Sequence, residues 1–581
     1  MVIIFAKSLL LTISIISAGN LIWTKFFPYS FNKDTINKYL ESGILGAIFI
    51  SFISFIFNFF IPLDLKFNNI LFLFPIIFFI FYKNNKKDLW KLIKLVLIIS
   101  LISTLLLSYS NFYRPDAGWY HIPYTKLITD HKMIIGSVSL HWAFGTHSIL
   151  QYLSAFMSNS LIGATGILYA NSILPSIFFV FFIYNFFLEK KLILKIFLFL
   201  IIGVFFIEMN RYSEYGNDNL GHLYFFYLVY IFLIQLINKT KISNLENSNK
   251  FFLVALFGFF IKTTQIFSIF IPLYFFFKKK LFKKIKFFPF LSIIVLLLWL
   301  AKNIFVSGCL IYPVQFTCLE KLSWYSSKSN SLISAKESSQ FTELLQKGYF
   351  HKDKSNLADK ENYLKNFNWL KNYFEKGFYK NITKKFDLFL VFIFLTILLS
   401  LILSRNFKAN LNNECKNNKL VFLLILNLVS LLIVILKIPD GRFFLGYLTY
   451  ILFSIILYAF HLLRKSISKL MLIKSMNTML IILSIIFTLK NFNRIIYKSE
   501  SVTAEVSLQP KFTKDEVKNL KVQINNKKVL NFVIADSDNI YFSNKKYDCV
   551  YSASPCIANQ KIFESIKIDE KYNYIILKVK N

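Results

Sequence analysis

The stretch LVLIISLISTLLLSYSNFYRPDAGWYHI (95–122) decides the class of this fold. It opens with a long uncharged apolar run and then turns abruptly polar at Arg114, Asp116, Trp119, Tyr120 and His121. A bilayer span needs about 20 predominantly apolar residues, and Trp and Tyr favour the depth at which a span meets the headgroups. The stretch therefore reads as a membrane helix that surfaces at this polar patch. A carboxylate held at such a rim is costly unless it has a partner or a task, which makes Asp116 a candidate for chemistry rather than decoration.

The rest of the chain repeats the first half of that pattern. Of its 581 residues 55% are hydrophobic and 17% charged, with 69 phenylalanines; the mean hydropathy is +0.52. A soluble protein with so many apolar runs would expose large apolar patches. Runs lie near 2–22, 43–61, 68–82, 92–109, 168–188, 194–209, 220–237, 251–261, 264–277, 287–301, 385–404, 420–437, 443–462 and 475–489. They predict an all-α polytopic membrane protein with about 12–14 hydrophobic helices. Residues 1–22 read as the first span, without the small-residue cleavage site of a secretory signal.

The formal net charge of +36 invites a nucleic-acid reading, but the lysines fall mainly between apolar runs, where they orient spans. No nucleic acid is expected as a partner. KNNKKDLWKLIK (83–94), EKKLILK (189–195), KKKLFKKIK (278–286) and the connector 405–419 are assigned to the cytoplasmic side. Segments 110–165, 210–219, 302–384 and 439–442 then share the opposite, outward side. This parity requires 251–277 to be a broken hairpin turning at Lys262. Segment 145–165 is too interrupted to span; it is expected as one or two amphipathic helices lying near the outer surface, apolar side in the headgroups. The membrane core is assigned to 1–489, with outer loops 110–165 and 302–384. Residues 490–581 change character. VLNFVIAD (529–536) and YNYIILKV (572–579) alternate with period two, which predicts a small outward-facing α/β domain.

The polar residues on the outward side supply the candidate site. Asp116 is suited to accept a proton from an acceptor hydroxyl, with Tyr120 and His121 beside it. Glu214 and Asp218, in RYSEYGNDNLGH (211–222), share a face if that segment is helical. With Asp116 they would offer oxygen ligands to a divalent cation, Mg or Mn. Lys262 in GFFIKTTQIF and Arg442 in KIPDGRFFLGY are cations at span mouths, suited to a lipid-borne phosphate. Tyr312 lies in a turn just outside a span. Among five cysteines none has a metal-site spacing. Cys309, Cys318, Cys549 and Cys556 fall on the outward side as candidate disulfide partners, leaving Cys415 in a cytoplasmic loop.

Three stretches, in this order and on one side of the membrane, resemble the GT-C superfamily of membrane glycosyltransferases that use polyprenyl-phosphate sugars. The superfamily includes the protein O-mannosyltransferases and lipid A aminoarabinose transferases. YRPDAGWYHIPYTKLITDH (113–131) resembles the acidic, tyrosine-rich start of the first outer loop. KNIFVSGCLIYP (302–313) resembles an element after a middle span, with Lys302 where arginine is common. PDGRFFLGY (439–447) resembles a late arginine-aromatic element. The resemblance covers roughly 90–462 and implies a GT-C-like fold. Under it Asp116 is the base or metal-associated acid, Asp218 or Glu214 the second acid, and Lys262 and Arg442 the lipid-phosphate contacts.

The expected activity is transfer of a sugar from a polyprenyl-phosphate-linked donor to a lipid, glycan or protein acceptor. The expected place is the outer face of the bacterial cytoplasmic membrane. A transporter or flippase for lipid-linked glycans is the main alternative, followed by a polysaccharide ligase or polymerase and a noncatalytic assembly protein. The acids stand at span ends, whereas a transporter is expected to carry charge at mid-membrane.

Overall fold

A computed structural model describes residues 2–26, 34–82, 86–108, 120–208, 216–237, 246–278, 290–325, 334–351, 360–377, 379–380, 394, 418–462, 469–496, 530–534, 538–542, 556–557, 566–571 and 574–579. Asp116, Arg114, Trp119, Glu214, Cys415, Cys549 and the expected span 385–404, save Phe394, lie outside these residues. Among the described residues nine helices are long and apolar enough to cross a membrane, and three apolar helices are shorter. The chain is thus a multi-pass, largely helical membrane protein.

The N-terminal half supplies α1 (Val2–Phe26), α2 (Thr35–Asn58), α3 (Leu65–Tyr82) and α4 (Lys86–Ser108). Helix α2 begins at Asp34, whose carboxylate accepts from Asn37 N at 3.3 Å. Helices α1 and α2 cross in close contact, because a Cβ on Gly19 or Gly46 would strike backbone atoms of the other helix. After the first long loop, with α5 (Ile122–Asp130) and α6 (Leu150–Met157), come α7 (Ala170–Leu188), α8 (Leu192–Ile207) and α9 (Asp218–Ile237). Helices α7 and α9 are buried along most of their length.

Helix α10 (Glu246–Ile261) ends at Lys262, whose extended backbone (φ −147°, ψ 123°) breaks the helix. A 3₁₀ segment, Thr263–Ile269, leads into α11 (Phe270–Lys278). Residues 252 and 276 would stand about 36 Å apart on one continuous helix. Instead the Phe252 and Phe276 rings meet at 5.9 Å, and Ser268 Oγ donates to Ala255 O at 3.4 Å. The chain has doubled back, so 251–277 is the hairpin the charge pattern requires.

The span α12 (Phe290–Ser307) opens the long polar excursion, which contains α13 (Ala335–Gln346), α14 (Lys360–Leu364) and α15 (Trp369–Glu375). The last described spans are α16 (Asn418–Lys437), α17 (Gly441–Leu462) and α18 (Lys469–Ile496); α16 and α18 are largely exposed at the bundle's edge.

The four polar segments assigned to one side do meet on one face. Asn217 lies against His121, Asp218 against Lys262 and Arg442, and Lys437 against Glu343. Tyr373 donates to Pro439 O at 2.8 Å. Segment 145–165 departs from expectation. Its helix α6 is buried on every side, with no apolar face turned to headgroups. The Asn68 amide reaches Ala155 O at 2.9 Å and Ser158 O at 2.7 Å, and Ile149 N donates to Phe260 O at 3.0 Å. These bonds satisfy the backbone of a non-spanning segment inside protein, which lipid cannot do.

The C-terminal strands form two sheets, β1 (Leu530–Ile534), β2 (Asp538–Phe542) and β3 (Cys556–Ile557) in one, and the hairpin β4 (Ile566–Lys571)–β5 (Tyr574–Val579) in the other. Strand β5 docks on the first loop: Ile135 N donates to Ile575 O at 3.0 Å and Leu577 N to Ile135 O at 2.9 Å. Tyr574 Oη donates to Phe59 O, at the end of α2, at 2.7 Å.

One ion pair lies deep between helices: Lys250 Nζ of α10 bonds Glu41 Oε2 of α2 at 3.1 Å, with the side chains 2% and 4% exposed. Removing one partner leaves a buried charge. Lys250→Met should lower unfolding stability by about 3–5 kcal/mol, whereas the double variant Glu41→Leu/Lys250→Met should recover most of it. Denaturation of the purified protein in one detergent measures both.

Candidate functional site

Asp218 opens α9 and is the meeting point of two cations far apart in sequence. Lys262, at the hairpin turn, places Nζ 2.6 Å from Asp218 Oδ1. Arg442, in the first turn of α17, places Nε 4.0 Å from Asp218 Oδ2 and 3.0 Å from Asp440 Oδ2. Both cations lie against the Phe443 ring, 4.7 and 4.8 Å from its centre. Asp440 Oδ1 accepts from Arg442 N at 3.0 Å. From the excursion, the Gln346 amide accepts from Arg442 Nη2 at 2.9 Å and donates to Asp440 Oδ2 at 3.2 Å. The side chains of Asp218, Lys262 and Arg442 are 21–28% exposed, so a ligand can reach them.

His222, one turn below Asp218, ties this cluster to the bundle. Its Nδ1 accepts from Gln265 Nε2 at 3.1 Å and Gly446 N at 3.2 Å, so Nε2 carries the proton that it donates to Arg442 O at 2.8 Å. Sequence reasoning missed His222; its place one turn from Asp218 is the signal that would have found it. Gly446 permits the approach: a Cβ there would lie 3.0 Å from both the His222 ring and the Phe225 ring.

His121 caps α5 beside the cluster, with Asn217 Nδ2 3.5 Å from its Nδ1. Burial, then the Lys262 charge, push its pKa from the ordinary 6.5 down to about 3 against the opposing pull of Asp218; Arg442 adds to the lowering. The imidazole is therefore neutral at physiological pH and available as a hydrogen-bonding group. Tyr120 stacks near His121 and His141, at 4.2 and 6.1 Å between ring centres.

Tyr312 stands apart from these residues. It is buried in a small cluster with Val138, Cys309, Tyr325 and Ala335. Cys309 and Cys318 form a disulfide. Cys556 lies in β3, but Cys549 falls outside the described residues.

Lys302 was only a departure from a motif in the sequence, yet the structure makes it a physical anomaly. It is 1% exposed, and its Nζ reaches no hydrogen-bond partner among the described residues. The rings of Tyr152, Trp299, Tyr124 and Phe55 surround it at 4.4, 4.9, 5.5 and 5.6 Å. These rings come from α6, α12, α5 and α2, so the amine joins the first loop to the core through its ring contacts.

Among the described residues no cluster of three His, Cys, Asp or Glu side chains is arranged to hold a metal. Asp218 faces Lys262 and Arg442, and the other acids expected beside it, Asp116 and Glu214, lie outside the described residues.

A family model described as "Domain of unknown function (DUF8201)" matches residues 1–449. No curated protein and no solved structure matches the chain.

The depressed pKa of His121 has a consequence for stability. Unfolded His121 takes up a proton near pH 6.5, while the folded imidazole stays neutral until about pH 3. Its contribution is complete above pH 6.5 and is lost as pH falls toward 3, by up to about 1.4 kcal/mol per pH unit. His121→Asn should therefore lose stability less steeply than the parent between pH 6 and pH 4, measured by thermal unfolding in detergent.

Proposed function

We propose that this chain, which belongs to the DUF8201 family, transfers a sugar from a polyprenyl-phosphate-linked donor to a hydroxyl of a lipid, glycan or protein acceptor. The reaction takes place where the polar segments gather, on the outward side of a bacterial cytoplasmic membrane. One observation carries this reading: Lys262 and Arg442, separated by much of the chain, converge at the mouth of a span on a partly exposed carboxylate. Two neighbouring cations at headgroup depth match the phosphate of a lipid-linked donor. The resemblance to GT-C transferases points to the same pairing of residues and ligand.

In the proposed reaction the phosphate binds Lys262 and Arg442, with Asp218 orienting both in the free protein. The acceptor oxygen attacks C1 of the sugar. The C1–O bond to phosphate breaks, and the leaving oxygen takes the electron pair. The two cations stabilise that developing charge. Asp116 receives the acceptor's proton. Neutral His121 and Tyr120 line the adjoining surface and hold sugar hydroxyls. In-line displacement inverts the anomeric centre.

The transport reading is favoured by one observation, the buried Glu41–Lys250 pair. Intramembrane charge of this kind marks many transport paths. The two activities separate experimentally, since a flippase moves the labelled lipid across a vesicle without cleaving its sugar–phosphate bond.

In proteoliposomes supplied with a labelled polyprenyl-phosphate sugar and membrane-derived acceptors, Lys262→Met and Arg442→Met should each lower transfer about 10²–10³-fold. Asp116→Asn should lower it about 10²–10⁴-fold. Wild-type rates in folded variants of all three would remove the assignment.

A further inference from the structure

We propose that residues 308–319, GCLIYPVQFTCL, form a rigid apolar finger that inserts into the lipid leaflet beside the polar face. This inference rests on the membrane-spanning fold and is independent of the sugar-transfer reading. No charged side chain lies between Lys302 and Glu320, although the segment directly follows the end of span α12 at Ser307. A solvent-facing loop of this length ordinarily carries charge; an uncharged, ring-bearing one suits the interface.

The finger is stiff and folded back. Cys309 and Cys318 are joined by a disulfide. Leu310 N donates to Thr317 O at 3.0 Å and Leu319 N to Gly308 O at 2.7 Å. Asn303 Nδ2, one helical turn inside α12, donates to Leu310 O at 2.8 Å. That bond ties the start of the finger to the last turns of the span.

Its surface divides sharply. Cys309 and Tyr312 pack inward with Val138, Tyr325 and Ala335. Leu310, Gln315 and Leu319 are exposed, and Phe316 is 90% exposed at the tip. Span α12 itself leaves Leu291, Ile294 and Leu297 uncovered. Direct attachment to the end of that span, with no charged residue before Glu320, selects lipid as the occupant. Midway along the finger, the Tyr312 ring lies so close to Gly145 of the first loop that no Cβ fits there. Seating the finger at a set depth therefore fixes the height of the loop that carries Tyr120 and His121.

The test is a Phe316→Trp variant of the full chain, which the exposure of residue 316 allows to fold. It is reconstituted in phosphatidylethanolamine–phosphatidylglycerol vesicles, and its fluorescence is read as the difference from the parent. The expected signal is blue-shifted, reduced at least two-fold by lipids brominated in the acyl chain, and insensitive to aqueous iodide. Quenching by iodide instead places the tip in water and overturns the proposal. Shielding from both quenchers means that a second copy or another protein covers the finger, which also overturns it. A Lys321→Trp variant at the finger's base should show the reverse pattern, quenched by iodide and not by brominated lipid.

Discussion

The ion pair between Asp218 and Lys262, 2.6 Å long, is the contact on which the polar face depends. It needs α9 to begin where it does, α10 to stop at Lys262, and the following chain to double back. Arg442 approaches the same carboxylate only because Gly446 lets α17 lie close to His222. His222 in turn reads the α17 backbone through Arg442 O and the hairpin through Gln265. One carboxylate thus ties three helical elements together at a span mouth, and the cations it gathers face outward enough to meet a ligand.

Around this contact the membrane imposes a second demand, that every backbone group inside the bundle be satisfied by protein. Helix α6 shows how the chain meets it. Too short to span, it is enclosed by core helices and bonded through Asn68 and Phe260. The same region carries Tyr152, one wall of the ring box around Lys302. The first loop is therefore a packed, partly internal layer that holds His121 at the edge of the cluster. It is more than a flap over the surface.

The sequence made the span pattern legible, because lysine-rich connectors and apolar runs follow directly from the energetics of insertion. It also placed the turn at Lys262 and gathered Asp218, Lys262 and Arg442 onto one side. Their mutual contact was not legible, since side and order say nothing of lateral distance; the sequence paired Asp218 with other acids, and the structure pairs it with cations. The internal character of α6 was missed because interruption of an apolar run looks alike in a surface helix and in a buried one. Glu41, Lys250 and Lys302 were hidden for a related reason. Each stands near the end of an apolar run, where a charge ordinarily snorkels to water, and only tertiary packing encloses it. Position near a span end therefore does not by itself keep a charge in water: Asp218 stays partly exposed, while Glu41, Lys250 and Lys302 are enclosed.

The proposed site turns on where a lipid phosphate sits. A cryo-electron-microscopy structure of the full chain in lipid nanodiscs with a bound polyprenyl-phosphate measures it directly. Phosphate density is expected in contact with Lys262 Nζ and the Arg442 guanidinium, beside His121 and Tyr120. Phosphate density distant from both cations, with the Asp218 contacts intact, would contradict it.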